Sequence, residues 1–273
     1  MERISSRQNP LVKRFRDVAR GGEGDDAVLV DGPHLVTEAL NAGVALEVVA
    51  FADGAADAEL EAIVRRASAS GVRAVTVSKA VLSAISPVRE PAGIVAIARC
   101  GPVAVDQVLA RAPQLVVIVD AVQDPGNVGA IVRAAEACGA TGVMTTPGSA
   151  GAFGWKALRG SMGSAFRMPI ARPASALDAI RAAKGAGLRV FATVPRDGTP
   201  LPLAGLVGPS AIVLGGEGSG LDEAVVAAAD ERLAVPMQPP VESLNVATAA
   251  ALIVYEAARQ RAEAGMQTMK AGT

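Results

Sequence analysis

Apolar and polar positions come in blocks that predict an alternating α/β chain. Short runs rich in Val, Ile and Leu predict β-strands at residues 27–30, 46–51, 72–77 and 94–98. Longer alanine-rich stretches between them predict helices at residues 33–42 and 55–70. Residues 1–98 are therefore predicted to form one α/β domain.

A second domain is predicted from residue 113 to residue 265. It opens with the near-continuous apolar run 115–120, which is typical of a strand buried in a parallel sheet. Further strands are predicted at 142–146, 188–193, 211–214 and 232–235, and helices at 127–138, 174–183, 221–229 and 245–264. Strands alternating with helices predict a parallel sheet with ligand loops at the strand C-terminal ends. Residues 99–112 are the predicted linker, and 266–273 a C-terminal tail.

Composition excludes several function classes. The net charge is −1, so there is no global attraction to polyanions. His34 is the single histidine and there are two cysteines, which excludes the usual zinc sites and argues against His-dependent hydrolases. We therefore expect no metal. Two cysteines without a disulfide framework, and no uninterrupted apolar span, lead us to expect a cytoplasmic protein without membrane contact.

Charge is unevenly distributed along the chain. Residues 1–20 hold six basic and two acidic residues, residues 25–64 hold nine acidic and no basic ones, and residues 154–173 hold four basic and no acidic ones. Two local basic segments are what a locally polyanion-binding protein would show. Each segment taken alone is equally compatible with solvated surface charge.

Three segments that each follow a predicted strand contain the candidate chemistry. In the first, DAVQDPGNVGAIVR (120–133), a Pro-Gly turn precedes a helix that Asn127 is predicted to cap. Arg133 lies about 140° from the centre of the apolar face of that helix, beside Gly129. A capped helix with an exposed arginine remains the structural alternative.

The second segment is the glycine-rich loop IVLGGEGSGL (212–221). It lacks both the G-x-G-x-x-G pattern of dinucleotide sites and the lysine of a P-loop. Ser219 and Asp222 fit a capping box, which is a structural role. Glu217, between glycines, must face solvent or a ligand.

The third segment, VPMQPPVESLN (235–245), runs into the most periodic helix of the chain. Either Ser243 or Asn245 could cap that helix, which explains one of them but not both. An apolar stripe on the helix is suited to a partner subunit or to packing within one subunit, and both alternatives stay open. It consists of Val246, Ala250, Ile253, Val254 and Ala257.

In this order the three segments resemble the signature motifs of the SpoU/TrmH family, the S-adenosylmethionine-dependent RNA ribose 2′-O-methyltransferases of the SPOUT class. The matching patterns are Asn127-x-Gly129-x-x-x-Arg133, LGGEGSGL (214–221) and VPM…ESLNV (235–246). Residues 159–169 resemble the family's segment between motifs one and two. Residues 6–13 and 30–32 resemble the start of its RNA substrate-binding domain, which is related to ribosomal protein L30e. The resemblance covers nearly the whole chain.

The resemblance implies an N-terminal L30e-like α/β domain and a C-terminal Rossmann-like parallel sheet with a deep trefoil knot. It implies S-adenosylmethionine as cofactor and a homodimer as the assembly. Carried over by position, the cofactor-binding residues are Thr193, Gly215, Gly216, Glu217, Gly218, Val235, Met237, Ser243 and Leu244.

For catalysis, the resemblance implies that Arg133 activates a ribose 2′-hydroxyl. Because a free guanidinium is a poor base, we expect Arg133 to stabilise the developing alkoxide and the adjacent phosphate. Asn127, Ser243 and Asn245 are expected to orient these groups, and Glu217 to hold Arg133 or a cofactor group. RNA contacts are predicted at Arg7, Asn9, Lys13, Arg14, Arg159 and Arg167.

The leading hypothesis is a methyltransferase acting on 23S-type ribosomal RNA, favoured over transfer RNA because of the N-terminal domain. A catalytically idle RNA-binding assembly factor is the second hypothesis, and the intact candidate residues argue against it. A small-molecule nucleotide enzyme is the third. The missing dinucleotide pattern and the basic N-terminal segment argue against that one.

Overall fold

The computed structural model describes residues 2–21, 26–54, 57–112, 114–218 and 220–271. Its strands are β1 (Glu2–Ile4), β2 (Ala27–Asp31), β3 (Ala45–Ala52), β4 (Arg73–Val77), β5 (Ile94–Arg99), β6 (Leu115–Asp120), β7 (Gly142–Thr145), β8 (Ile170–Ala171), β9 (Arg189–Thr193), β10 (Thr199–Pro200), β11 (Ser210–Gly215) and β12 (Glu231–Ala234). Its α-helices are α1 (Pro10–Ala19), α2 (Pro33–Asn41), α3 (Ala58–Ala69), α4 (Lys79–Ile85), α5 (Val105–Leu109), α6 (Pro125–Ala137), α7 (Trp155–Ser161), α8 (Ala176–Gly185), α9 (Glu223–Ala228) and α10 (Val246–Ala271). Single 3₁₀ turns form at Ser164–Phe166 and Leu201–Leu203.

The chain divides into two compact units. The first comprises Met1–Pro102 and Phe153–Arg167, and the second Val103–Ala152 and Met168–Thr273. The predicted linker 99–112 is therefore divided between them. Its second half carries α5, whose apolar side chains Val105 and Val108 pack on the core of the second unit. Packing these apolar side chains on a core removes them from water, which is more favourable than leaving them exposed in a linker.

The first unit is built on a five-stranded sheet in the order β1-β4-β3-β5-β2. β4 pairs in parallel with β1 and β3, whereas β5 is antiparallel to both β2 and β3. The predicted strands 27–30, 46–51, 72–77 and 94–98 are all present. β1, α1 and α4 were not predicted, because they are short or interrupted by charged residues.

Helix α1 shows how the basic N-terminal segment folds. Asn9 caps it through its Oδ1, which accepts a hydrogen bond of 2.8 Å from the Leu11 amide, and Pro10 occupies its first turn. Val12, Phe15 and Val18 are buried on one side in the core of the sheet. The basic residues consequently lie on the remaining sides of the helix.

The segment Phe153–Arg167, here called the inserted segment, belongs to the first unit although it lies within the predicted second domain. Its helix α7 packs on β2, an edge strand of the sheet, and Trp155 packs against the core cluster that includes Phe15. Ala157 and Leu158 are fully buried.

The second unit is a seven-stranded sheet in the order β10-β12-β9-β11-β6-β7-β8. Every strand pair in it is parallel, as the alternation of strands and helices predicts. β6 and β11 are central and almost wholly buried. The C-terminal ends of β6, β11 and β12 lead into the loops that contain the three motifs.

Helix α10 decides between the two alternatives left open for its apolar stripe. Its apolar stripe is buried within the chain, where α10 packs on α6, so the stripe is not available to a partner subunit. The helix also continues to Ala271, so the predicted tail 266–273 is helical through residue 271. Within the described ranges, no helix is long and apolar enough to cross a membrane. The trefoil knot stays a prediction.

Candidate active site

A pocket of about 540 Å³ lies at the C-terminal ends of β9, β11 and β12. All nine positions predicted to hold the cofactor line it, although they come from three separate loops. These are Thr193, Gly215, Gly216, Glu217, Gly218, Val235, Met237, Ser243 and Leu244.

The pocket combines an apolar wall with a few polar groups. Leu214, Leu221 and Leu233 contribute hydrocarbon, and α10 adds Val246 and Ile253. The Thr193 hydroxyl donates a 2.9 Å hydrogen bond to the Val213 carbonyl. Its oxygen can therefore only accept a hydrogen bond from a ligand in the pocket. An apolar cavity with few polar groups is typical of small-molecule sites.

The glycine-rich loop closes against neighbouring backbone that leaves no room for a side chain. A Cβ on Gly215 would lie 2.5 Å from the carbonyl carbon of Gly220. A Cβ on Gly216 would lie 2.1 Å from the carbonyl oxygen of Ala121. Gly215 therefore allows the loop to fold back on its own backbone, and Gly216 allows it to pass close to the turn after β6.

The turn after β6 is supported by the loop that follows β7. Ala121 adopts a positive φ of 54°, which is strained for a residue with a Cβ. The Ser149 hydroxyl donates to the Val119 carbonyl at 3.1 Å and accepts from the Val122 amide at 3.2 Å. The Thr146 hydroxyl donates to the Asp120 carboxylate. These contacts fix the backbone that leads into α6, and no sequence signal identified Ala121.

The predicted capping role of Asn127 is wrong. Helix α6 begins at Pro125, and Asp124 is its N-cap, accepting a 2.9 Å hydrogen bond from the Asn127 amide. Proline favours the first turn of a helix, so the Asp-Pro-Gly sequence was the signal that identifies the cap. As a result, the Asn127 side chain is free for other contacts.

Those contacts join the three motifs in one hydrogen-bonded chain. Asn127 Nδ2 donates to Glu217 Oε1, and Asn245 Nδ2 donates to Asn127 Oδ1 at 3.1 Å. Asn245 Oδ1 accepts from the amides of Ala247 and Thr248 at 3.0 and 3.2 Å, which makes Asn245 the cap of α10. The cap fixes the Asn245 amide, and that amide in turn orients Asn127 toward Glu217.

Two of the predicted catalytic residues lie outside this chain of hydrogen bonds. Ser243 is exposed and lines the pocket. Arg133 is exposed on α6, about 9 Å along the helix axis from Asn127. In the part of the chain that the structure describes, Arg133 has no ion pair or side-chain hydrogen bond. Glu217 therefore holds Asn127 and not Arg133, contrary to one of the two roles expected for it.

The six residues predicted to contact RNA have unequal environments. Asn9 is the cap of α1, Arg14 forms an ion pair with Glu47, and Arg167 forms one with Glu38. Sequence reasoning missed these three internal roles. For the two arginines the reason is that their partners lie 33 and 129 positions away in the sequence.

The other three predicted RNA contacts are exposed. Arg7 donates to the Ala80 carbonyl at 3.1 Å, and Lys13 and Arg159 point out of α1 and α7. Arg159 lies close enough to the buried Asp31 to stabilise its charge. Burial raises the pKa of Asp31, and a 2.6 Å hydrogen bond from Ser86 opposes that shift.

Comparison with known proteins agrees with this geometry. Residues 114–255 match the SpoU rRNA Methylase family, and residues 9–96 match the MRM3-like substrate binding domain. The chain is 33% identical over 260 residues to the 23S rRNA (guanosine(2553)-2′-O)-methyltransferase RlmP of Bacillus subtilis, covering 93% of this chain and 98% of that one. This chain belongs to the SpoU rRNA methylase family.

Two solved methyltransferase structures are similar to this chain over most of its length. The AdoMet-bound rRNA methyltransferase from Sinorhizobium meliloti superposes with a TM-score of 0.84 at 27% identity, covering 94% of this chain and 97% of that one. The SpoU methyltransferase AviRb from Streptomyces viridochromogenes, in complex with AdoMet, gives a TM-score of 0.81 at 26% identity, covering 93% and 98%. The resemblance to SpoU/TrmH enzymes is thereby confirmed for more than nine-tenths of the chain.

Proposed function

We propose that this SpoU methylase transfers a methyl group from S-adenosylmethionine to a ribose 2′-hydroxyl of 23S-type ribosomal RNA. The observation that carries the proposal is the convergence of three distant motifs at one pocket. Asn127, Glu217 and Asn245 form a continuous chain of side chains at its rim.

The pocket fits the proposed cofactor. Its volume of about 540 Å³ falls in the range of roughly 300–1,000 Å³ typical of such sites. The glycine backbone and the loop of Val235 and Met237 present amide and carbonyl groups beside an apolar wall, which suits adenine and ribose. When bound, S-adenosylmethionine supplies an electrophilic methyl group on a sulfonium centre.

The protein's own residues must activate a weak nucleophile. As the ribose oxygen attacks the methyl group, the hydroxyl releases its proton to solvent and negative charge develops on the oxygen. A guanidinium supplies two parallel N–H groups that stabilise this charge and the adjacent phosphate. We assign this role to Arg133. Asn127, held from both sides, presents a fixed amide to the ribose, and Ser243 offers a hydroxyl at the pocket rim.

A second copy of the chain is proposed as the assembly partner. Leu252 and Tyr255 lie on the outer side of α10 and are 42% and 64% exposed, although both are large and apolar. Such side chains are common in subunit interfaces. Light scattering should report twice the chain mass, and a monomer at micromolar concentration would contradict this assignment.

The ribosomal substrate is testable in cells. Deleting the gene and restoring it, while 2′-O-methyl marks are mapped on all stable RNAs, should show one 23S mark lost and regained. A mark lost from transfer RNA would favour the second candidate substrate. Loss of ribosome assembly without loss of any mark would favour an idle assembly factor.

A further inference from the structure

The inserted segment leaves the second unit after Ala152 and returns to it at Met168, yet it folds as part of the substrate-binding unit. The two units are therefore joined by three chain crossings and not by the single linker expected from the sequence. A segment fixed in one unit and covalently continuous with the other at both ends can transmit a displacement between them.

The attachment of the inserted segment is close and specific. Trp155 packs on the core of the sheet, and α7 covers β2. Gly163 adopts a positive φ of 89°, and a Cβ there would lie 2.7 Å from the Glu38 Cβ, so α2 approaches it directly. The Glu38 carboxylate forms an ion pair with Arg167, the last residue of the segment.

The upstream end of the inserted segment is connected to the turn after β6, residues 121–124. Residues 146–150 precede the inserted segment, and they include the Thr146 and Ser149 side chains that hold residues 119–122. The Ala150 amide also donates to the Val122 carbonyl at 2.8 Å. Asp124 ends this turn and Asn127 lies in the first turn of α6. A displacement of the inserted segment would therefore move both residues through these hydrogen bonds.

The downstream end is equally anchored. Met168 is buried, and the Pro169 carbonyl accepts a 3.0 Å hydrogen bond from the Val143 amide. β8 then pairs with β7. Arg167 thus occupies the last position before the chain re-enters the second unit, where a fixed side chain limits movement of both neighbours.

We propose that Glu38 and Arg167 are a positioning pair. Their ion pair holds the inserted segment on the first unit, so that RNA binding to that unit sets the geometry of the turn after β6. This inference rests on the proposed function. It reassigns Arg167 from phosphate binding to positioning. It gives a role to Glu38, an acidic residue that by its charge cannot attract RNA.

Phosphate binding and positioning predict different effects of the two substitutions on RNA affinity. If Arg167 contacted phosphate, Arg167→Gln would weaken RNA binding, whereas Glu38→Gln would strengthen it by removing a negative charge. If the two residues act as a positioning pair, both variants leave RNA affinity nearly unchanged and slow methyl transfer equally. The reversed pair Glu38→Arg with Arg167→Glu should then restore the rate.

The experiment uses the full-length protein with 23S RNA transcripts and S-adenosylmethionine, both at saturation. Single-turnover transfer should fall about fivefold to tenfold in Glu38→Gln and in Arg167→Gln, and recover to within twofold of wild type in the reversed pair. RNA and cofactor dissociation constants should stay within about twofold. Glu61→Gln is the matched control, because it removes an acidic residue of the same unit that pairs with Arg65 on the exposed side of α3.

Three results would overturn the inference: wild-type transfer by Glu38→Gln, a reversed pair as slow as the single variants, or weakened RNA binding by Arg167→Gln with a normal saturated rate. Thermal unfolding of each variant identifies losses of folded protein, and a rate loss explained entirely by unfolding would also overturn it. If the wild-type protein transferred no methyl group to any RNA, the proposed function itself would fail. Normal wild-type transfer with a normal Glu38→Gln rate would remove only the positioning pair.

Discussion

Replacing Asn127 with Asp tests the chain of hydrogen bonds that joins the three motifs. The substitution preserves shape and still accepts the hydrogen bond from Asn245, but it removes the Nδ2 donor to Glu217. Two carboxylates then face each other at the position of one hydrogen bond. The variant therefore separates the donor function of Asn127 from its size.

The magnitude follows from two contributions. Losing a hydrogen bond to a charged acceptor costs about 1.5–3 kcal/mol. Repulsion between unit charges about 4 Å apart adds about 1 kcal/mol in a water-like medium, and the exposure of Glu217 places it near that limit. If the catalytic geometry depends on this contact, the barrier should rise by about 3 kcal/mol, which is roughly a 10²-fold slower transfer.

The assay is single-turnover methyl transfer at saturating RNA and cofactor, with Asn127→Ala as the comparison. The Ala variant loses both contacts without adding repulsion, so it should be faster than the Asp variant at pH 7.5. Acidification should raise the relative rate of Asn127→Asp, because protonating one carboxylate restores a shared hydrogen. An Asp variant that matches wild type while Ala is slow would show that only the shape of Asn127 matters, and would refute the reasoning.

Three further outcomes are expected. Arg133→Ala should leave S-adenosylmethionine affinity within a few-fold while transfer falls by at least about 10²-fold, and Arg133→Lys should rescue little; normal single-turnover transfer would contradict this. Gly216→Ala should weaken cofactor binding more than tenfold by calorimetry, because its Cβ would overlap the Ala121 carbonyl. The Arg259 guanidinium lowers the pKa of Glu256 to about 2, so Glu256 stabilises the fold above its unfolded pKa near 4.5 and that stability is lost as the pH falls toward 2. Denaturation curves should show a shallower acid loss for Glu256→Gln than for wild type.

The parallel sheet and its ligand loops were predictable because a buried strand is a short, continuous run of apolar residues, which can be recognised in the sequence. The run 115–120 is apolar throughout, and the structure places β6 there, at the centre of the second sheet. Gly215 and Gly216 also marked the ligand loop correctly, since a side chain at either position would overlap neighbouring backbone. The predicted cofactor positions line one pocket because the C-terminal ends of neighbouring parallel strands meet at one edge.

The cap of α6 and the stripe on α10 show where local patterns are ambiguous. Asp124 and Asn127 are both good caps, and Pro125, which favours the first turn of a helix, is the local signal for Asp124. The sequence could not show that the Asn127 side chain contacts Glu217 and Asn245 instead. The stripe on α10 has the periodicity of a buried face, but periodicity does not reveal whether α6 or another subunit covers it.

The inserted segment could not be assigned from its position in the chain. Its contacts with α2 and β2 connect residues more than a hundred positions apart. No local pattern encodes such a pairing, and the basic charge of residues 154–173 suggested RNA instead. Arg167 illustrates the consequence, because the structure pairs it with Glu38.

The most direct test of the central claim is the chemical position of the transferred group. The purified protein is incubated with 23S RNA and S-adenosylmethionine carrying a trideuterated methyl group, and the RNA is digested to nucleosides for mass spectrometry. The account predicts one nucleoside whose label remains with the ribose fragment, at wild-type level with the native protein and at least about 10²-fold lower with Arg133→Ala. Label on a base, or equal labelling by both proteins, would contradict it.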